Sequence, residues 1–81
     1  MQVDILTPDA HVFTGQAEVV TLPGIDGSFQ VLEGHAPLVS ILQRGQISVK
    51  TKTQELHFAT SGGVAEVSEG KVSVLAQGIA S

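Results

Sequence analysis

Glu33-Gly34-His35-Ala36-Pro37-Leu38 lies between two apolar runs, Phe29 to Leu32 and Leu38 to Leu42, and its local chemistry dictates a corner. The ring of Pro37 fixes its own φ near about −65° and pushes Ala36 into an extended conformation. Gly34 supplies freedom of φ where the chain has to bend. A segment of this kind cannot continue a helix, so the flanking apolar runs read as two strands joined by a fixed corner of Gly34, His35, Ala36, Pro37 and Leu38. His35 is the one functional side chain in it. Held between Gly34 and Pro37, it is expected to hydrogen-bond the backbone of a neighbouring loop, or to touch another protein, since an aimed polar residue in a constrained loop suits recognition.

Outward from the corner, the chain reads as short strands separated by turn residues, with no helical period of useful length. Residues 2–6 alternate polar and apolar before Thr7-Pro8-Asp9 turns the chain. Residues 11–14 and 17–22 make two more strands, with Ala17, Val19 and Thr21 expected on one face. Pro23 to Ser28 holds Pro, two Gly and Asp in six positions and reads as a loop with an exposed Ile25. Beyond the corner, residues 39–42 lead through Gln43 to Gln46 into residues 47–52, where Ile47, Val49 and Thr51 face one side and Ser48, Lys50 and Lys52 the other. Residues 55–60 alternate with Leu56 and Phe58 inward. Ser61-Gly62-Gly63 breaks that strand, and residues 64–67 and 71–76 form a last hairpin across Ser68-Glu69-Gly70. The expected core is Val3, Ile5, Val19, Ile47, Val49, Leu56, Phe58, Val72 and Val74. The fold class is all-β, a sandwich or flattened barrel.

Composition narrows the chemistry. Eighty-one residues make one domain, residues 1–81. A chain of that size buries only about 60% of its unfolded surface. The sequence has no Cys, Trp or Tyr and only three Phe, so the core must be filled by Val, Ile, Leu and Ala, and thiolate catalysis, Cys-type zinc sites and redox motifs are excluded. A net charge of −4, with only Arg44, Lys50, Lys52 and Lys71 basic, argues against nucleic acid. No apolar run is long enough to span a membrane as a helix, and Asp4 and Asp9 stand where a signal peptide would carry positive charge. Ser61-Gly62-Gly63 lacks the glycine and the following helix of a nucleophile elbow. Gly24-Ile25-Asp26-Gly27 has no framing helices for a nucleic-acid clamp. His11, His35 and His57 sit on three different elements without metal-ligand spacing. Lys50 and Lys52 lie mid-strand, whereas the lysine of a biotinyl or lipoyl carrier domain sits at a hairpin tip. Neither catalytic residue, metal nor cofactor is expected.

The residues carry a resemblance. Pro8 followed by Val12-Phe13-Thr14-Gly15, then Gly27, the Gly34 to Leu38 corner with Leu42 and Gly45, the segment Ser61-Gly62-Gly63-Val64-Ala65-Glu66-Val67, and Val72-Ser73-Val74-Leu75-Ala76 keep the order and spacing of one family from end to end. The chain resembles the amino-terminal domain of the epsilon subunit of F-type ATP synthases. The resemblance implies a flattened β-sandwich of two roughly five-stranded, mainly antiparallel sheets, no catalysis, and a place at the foot of the central stalk, where the subunit joins gamma to the membrane-embedded c-subunit ring and supports coupling of proton translocation to ATP synthesis. It implies a peripheral position at the cytoplasmic face of a bacterial plasma membrane and no homo-oligomer. It puts Asp26, Gly27, Ser28 and Phe29 toward the c-ring, with Ser28 where relatives often have an acidic residue and Asp26 as its substitute. Thr7, His35 and Ser40 lie toward gamma. Family members commonly continue into a pair of inhibitory helices; this sequence stops at Ser81, so the resemblance is carried over without the carboxy-terminal helical domain and without helix-based inhibition. Two other readings are a carrier domain with a modified lysine, which intact mass would reveal, and a free-standing binding module with a ligand groove.

Overall fold

The computed structural model describes residues 1–80, and strands occupy most of them: β1 (Gln2–Thr7), β2 (Ala10–Gln16), β3 (Val19–Gly24), β4 (Gly27–Leu32), β5 (Leu38–Leu42), β6 (Gly45–Lys50), β7 (Glu55–Thr60), β8 (Gly62–Ser68) and β9 (Lys71–Gln77). No helix occurs among the described residues. Hydrogen bonding runs in the order β2-β1-β9-β8-β5-β3-β6-β7, with β4 on the free side of β3. The β5–β3 link is a single pair, Gly24 with Leu42, so the ladder folds over there into a five-stranded layer, β2-β1-β9-β8-β5, and a four-stranded one, β4-β3-β6-β7. The expected sandwich is therefore present, with five and four strands instead of five each. The nearest thing to a tenth strand is Ala80, which adds one bridge to Ala59 on the β7 edge. Among the described residues only β1 and β9 pair in parallel. The extents of 27 × 26 × 19 Å give the flattened shape that two sheets stacked about 10 Å apart require.

Alternation within each strand decides what the layers bury. Val3 and Ile5, Val72, Val74 and Ala76, and Ala65 and Val67 line the inner face of the five-stranded layer; Val20, Leu22, Val31, Ile47, Val49 and Phe58 line the other. Their registers put Val3 beside Val72 and Val72 beside Val67 in one layer, and Val31 beside Val20 and Val20 beside Val49 in the other. Phe13 on β2 meets Phe58 on β7 with ring centroids 6.1 Å apart and closes one open side. The buried Thr60 hydroxyl accepts the Gly62 N–H at 3.2 Å and donates to the Gln77 carbonyl at 2.7 Å, pinning the β7–β8 break to β9.

Two expectations about this framework are corrected. Val19 faces outward, and Val20 and Leu22 fill the core in its place. Ala17 is indeed buried, but it lies before β3 begins at Val19, so the alternation counted from it is out of phase with the strand. Pro23 to Ser28 is not a loop. Pro23 and Gly24 end β3, Gly27 and Ser28 begin β4, and only Ile25 and Asp26 turn between them. The strands use the Pro and Gly positions because Pro23 needs no ladder donor there and its carbonyl accepts from Gln43 N at 2.9 Å.

Candidate functional site

The corner crosses between layers, taking the chain from β4 in one to β5 in the other. Gly34 has φ of 85°, a conformation that L side chains avoid, and the His35 N–H closes the bend on the Leu32 carbonyl at 3.0 Å. His35 is half-buried, but its imidazole Nδ1 lies 2.6 Å from the carbonyl oxygen of its own neighbour, Ala36. Among the described residues the imidazole makes no bond to a neighbouring loop, contrary to expectation. The Ala36 carbonyl can only accept, so Nδ1 donates to it and the imidazole is tied within the corner itself.

Of the residues expected at partner contacts, Asp26, Gly27 and Ser28 come together, exposed, at the tip of the β3–β4 hairpin. Phe29 turns inward instead and packs on the core. Thr7 ends β1, its hydroxyl 3.5 Å from the Ala10 carbonyl, whereas His35 lines a crevice with Gly70 and Lys71 at the opposite end of the same layer. Ser40 sits mid-strand in β5, half-buried, with its side chain on the opposite face from Val39 and Ile41. Thr7, His35 and Ser40 therefore form no single cluster.

What the sequence reading missed is the outer face of the five-stranded layer. Ile41 is directly opposite Val64, Val64 opposite Leu75, and Leu75 beside Leu6, so one row of apolar side chains crosses β5, β8, β9 and β1. Ile41 is 59% exposed, Val64 43% and Leu75 54%. Val39 flanks the row, and Ile25 at the hairpin tip donates its N–H to the Ile41 carbonyl at 2.9 Å, which extends the patch to the residues beside Asp26. Contiguous exposed apolar side chains on a sheet face mark an interaction surface. The signal was present as outward apolar positions in β5, β8 and β9, but both faces of β5 are apolar, so alternation alone did not tell which was free.

Farther along the same face the chemistry becomes polar. Asp4 accepts from the Thr14 hydroxyl and from Gln2 Nε2 at 3.1 Å, and pairs with Lys71 Nζ at 3.3 Å. The Thr14 hydrogen bond above all, then that of Gln2, holds the Asp4 carboxyl below the ordinary aspartate value. Among the described residues no three His, Cys, Asp or Glu side chains gather into a metal-sized cluster. The face offers binding contacts and a rigid ladder.

These features define a two-layer β-sandwich whose five-stranded layer presents an apolar row and a polar network on its outer face. The chain belongs to the family described as "ATP synthase, Delta/Epsilon chain, beta-sandwich domain", which it matches over residues 1–81. It is 38% identical over 78 residues to the ATP synthase epsilon chain of Helicobacter pylori strain Shi470, covering 96% of this chain and 63% of that one. It is 45% identical over 86 residues to the epsilon chain of Salinibacter ruber, covering 95% of this chain and 58% of that one. The chain thus spans somewhat less than two thirds of the length of these relatives. In fold it is similar to a chain in the Tetrahymena thermophila mitochondrial ATP synthase central stalk and c-ring structure, with a TM-score of 0.84 at 14% identity over 98% of this chain and 64% of that chain.

Proposed function

We propose that this chain is a non-catalytic rotor subunit of an F-type ATP synthase, linking gamma to the c-subunit ring at the cytoplasmic face of a bacterial plasma membrane and supporting the coupling of proton translocation to ATP synthesis. The observation that carries the reading is the apolar row Ile41–Val64–Leu75–Leu6 on a chain of this family. Gamma docks on that row, with Thr7 on its rim one residue beyond Leu6 and His35 at the far end of the layer. The tip residues Asp26, Gly27 and Ser28 face the c-ring, where Asp26 supplies the acidic group that Ser28 lacks. Phe29 and Ser40 support these surfaces from the inner side of their strands. A preformed sheet face binds with little ordering cost, and a hydrogen-bonded sandwich resists the shear that torque imposes.

The test is binding of the chain to purified gamma. A double Ile41→Ser, Leu75→Ser variant that stays folded is expected to bind at least about 10-fold more weakly, the equivalent of about 1.4 kcal/mol, while Lys52→Ala binds like the parent. Unchanged affinity of the double variant would remove the apolar row from the interface. Cysteine at Asp26 is expected to cross-link to the c-ring in the assembled enzyme, and its failure to do so would reverse the assignment of the tip.

A further inference from the structure

The outer face of the four-stranded layer carries a cluster that a stalk role leaves unused. Ser48 on β6 and His57 on β7 are directly opposed across the β6–β7 hairpin, and the Ser48 hydroxyl lies 3.0 Å from His57 Nδ1. The other ring nitrogen, Nε2, lies 3.2 Å from Glu55 Oε2, two residues back on the same face of β7. A carboxylate can only accept, so it takes the Nε2–H and fixes the tautomer. That leaves the Nδ1 lone pair to accept the Ser48 proton. Hydroxyl, imidazole and carboxylate thus stand in the order that a nucleophile, its base and an orienting group require. Ser48 also lines a groove of about 300 Å³ with Val19, Thr21, Gln30, Lys50 and Glu55. His57 and Glu55 have 43% and 53% of their side-chain surface exposed, so a small reagent can reach the pair.

We propose that Ser48 is an acyl-acceptor site for small activated acyl esters, with His57 as its general base and Glu55 as a positioning residue. The Ser48 oxygen forms a bond to the acyl carbon while its proton passes to His57 Nδ1. The tetrahedral adduct then breaks the bond to the leaving oxygen, which departs with the electron pair and takes the proton from His57. Lys50, two residues along the same face and in the same groove, brings positive charge to the developing oxyanion. The other charged group of the groove is Glu55, and the neighbouring strands β3 and β4 contribute the uncharged Thr21 and Gln30. The product is an acyl-serine ester on the face opposite the proposed gamma surface, so this inference and the stalk reading stand or fall separately.

The experiment exposes the 81-residue chain to p-nitrophenyl acetate and locates acetyl groups by peptide mass mapping. Ser48 is expected to acetylate about 100-fold faster than the other serines, the low end of general-base catalysis. His57→Gln brings it to their level. Glu55→Gln slows it and Glu55→Asp restores part of the rate, because the carboxylate that accepts the Nε2–H holds the tautomer that leaves Nδ1 free; a structural role alone would let Gln serve as well as Asp. Circular dichroism confirms that each variant is folded. Equal Ser48 labelling in parent and His57→Gln, or acetyl groups confined to lysines, would overturn the proposal.

Discussion

At the scale of single residues, Asp4 and Gly63 show how local chemistry constrains the sheet. Asp4 has its carboxyl held below the ordinary value of 3.8 by Thr14 and Gln2 first, with Lys71 adding a smaller pull in the same direction. A depressed carboxylate contributes stability that is fully present above its unfolded-state value and is lost as pH falls through the folded one. Thermal melts of the parent from pH 6 down to about pH 2 should therefore show a steeper acid-side loss than those of Asp4→Asn; parallel curves would contradict the network. Gly63 stands at φ 149°, and a Cβ there would land against the Leu75 carbonyl oxygen of the paired strand. Backbone strain and overpacking add, so Gly63→Ala is expected to cost about 2–5 kcal/mol in urea unfolding. A loss below about 1 kcal/mol would mean that β8 and β9 can part locally without penalty.

At the scale of elements, the corner between β4 and β5 tests what the sequence could tell. Its backbone was legible, because Gly34 and Pro37 act through their own torsions and need no tertiary partner. The role of His35 was not, since the direction of an imidazole depends on the carbonyl that happens to face it, here that of Ala36. Pro37→Ala should cost about 0.4–1 kcal/mol by freeing the unfolded chain, and His35→Ala less than about 0.5 kcal/mol. Denaturant midpoints for the two variants measure this, and a larger loss for His35→Ala would restore it as a structural clamp. The strands with one polar face, β6 and β7, were readable in phase from alternation. β3 was not, because Ala17 is buried before the strand starts, and β5 was only half readable, because Val39 and Ile41 are as apolar as the inward Leu38 and Leu42. For that reason the inward set was mostly visible in the sequence while the outer apolar row, and the cross-strand pair of Ser48 with His57, needed the register.

At the scale of the whole molecule, each layer exists only because the other covers it. Few backbone bonds join them, chiefly the pair of Gly24 with Leu42, the Ser61 N–H to the Gln77 carbonyl at 3.0 Å and the bridge of Ala80 to Ala59. What holds them is the shared core, in which Val3, Ile5, Val20, Leu22, Val31, Ile47, Val49 and Val72 are shielded completely from water. Folding should then be one cooperative transition, since losing one layer exposes the inner face of the other. Leu22 is the sharpest probe, sitting beside Phe29 in the hairpin that carries the proposed c-ring tip, two residues before the Gly24 junction. Leu22→Ala removes buried methyl groups from a close-packed interior and is expected to cost about 2–5 kcal/mol. For a domain of this size each kcal/mol lowers Tm by about 4–8 °C. Circular dichroism and Phe13–Phe58 side-chain contacts followed by NMR should report the same midpoint in parent and variant, the latter shifted down by at least about 8 °C. Separate midpoints for the two probes would show that the layers unfold independently, and a sandwich that comes apart in that way could not transmit torque as one body.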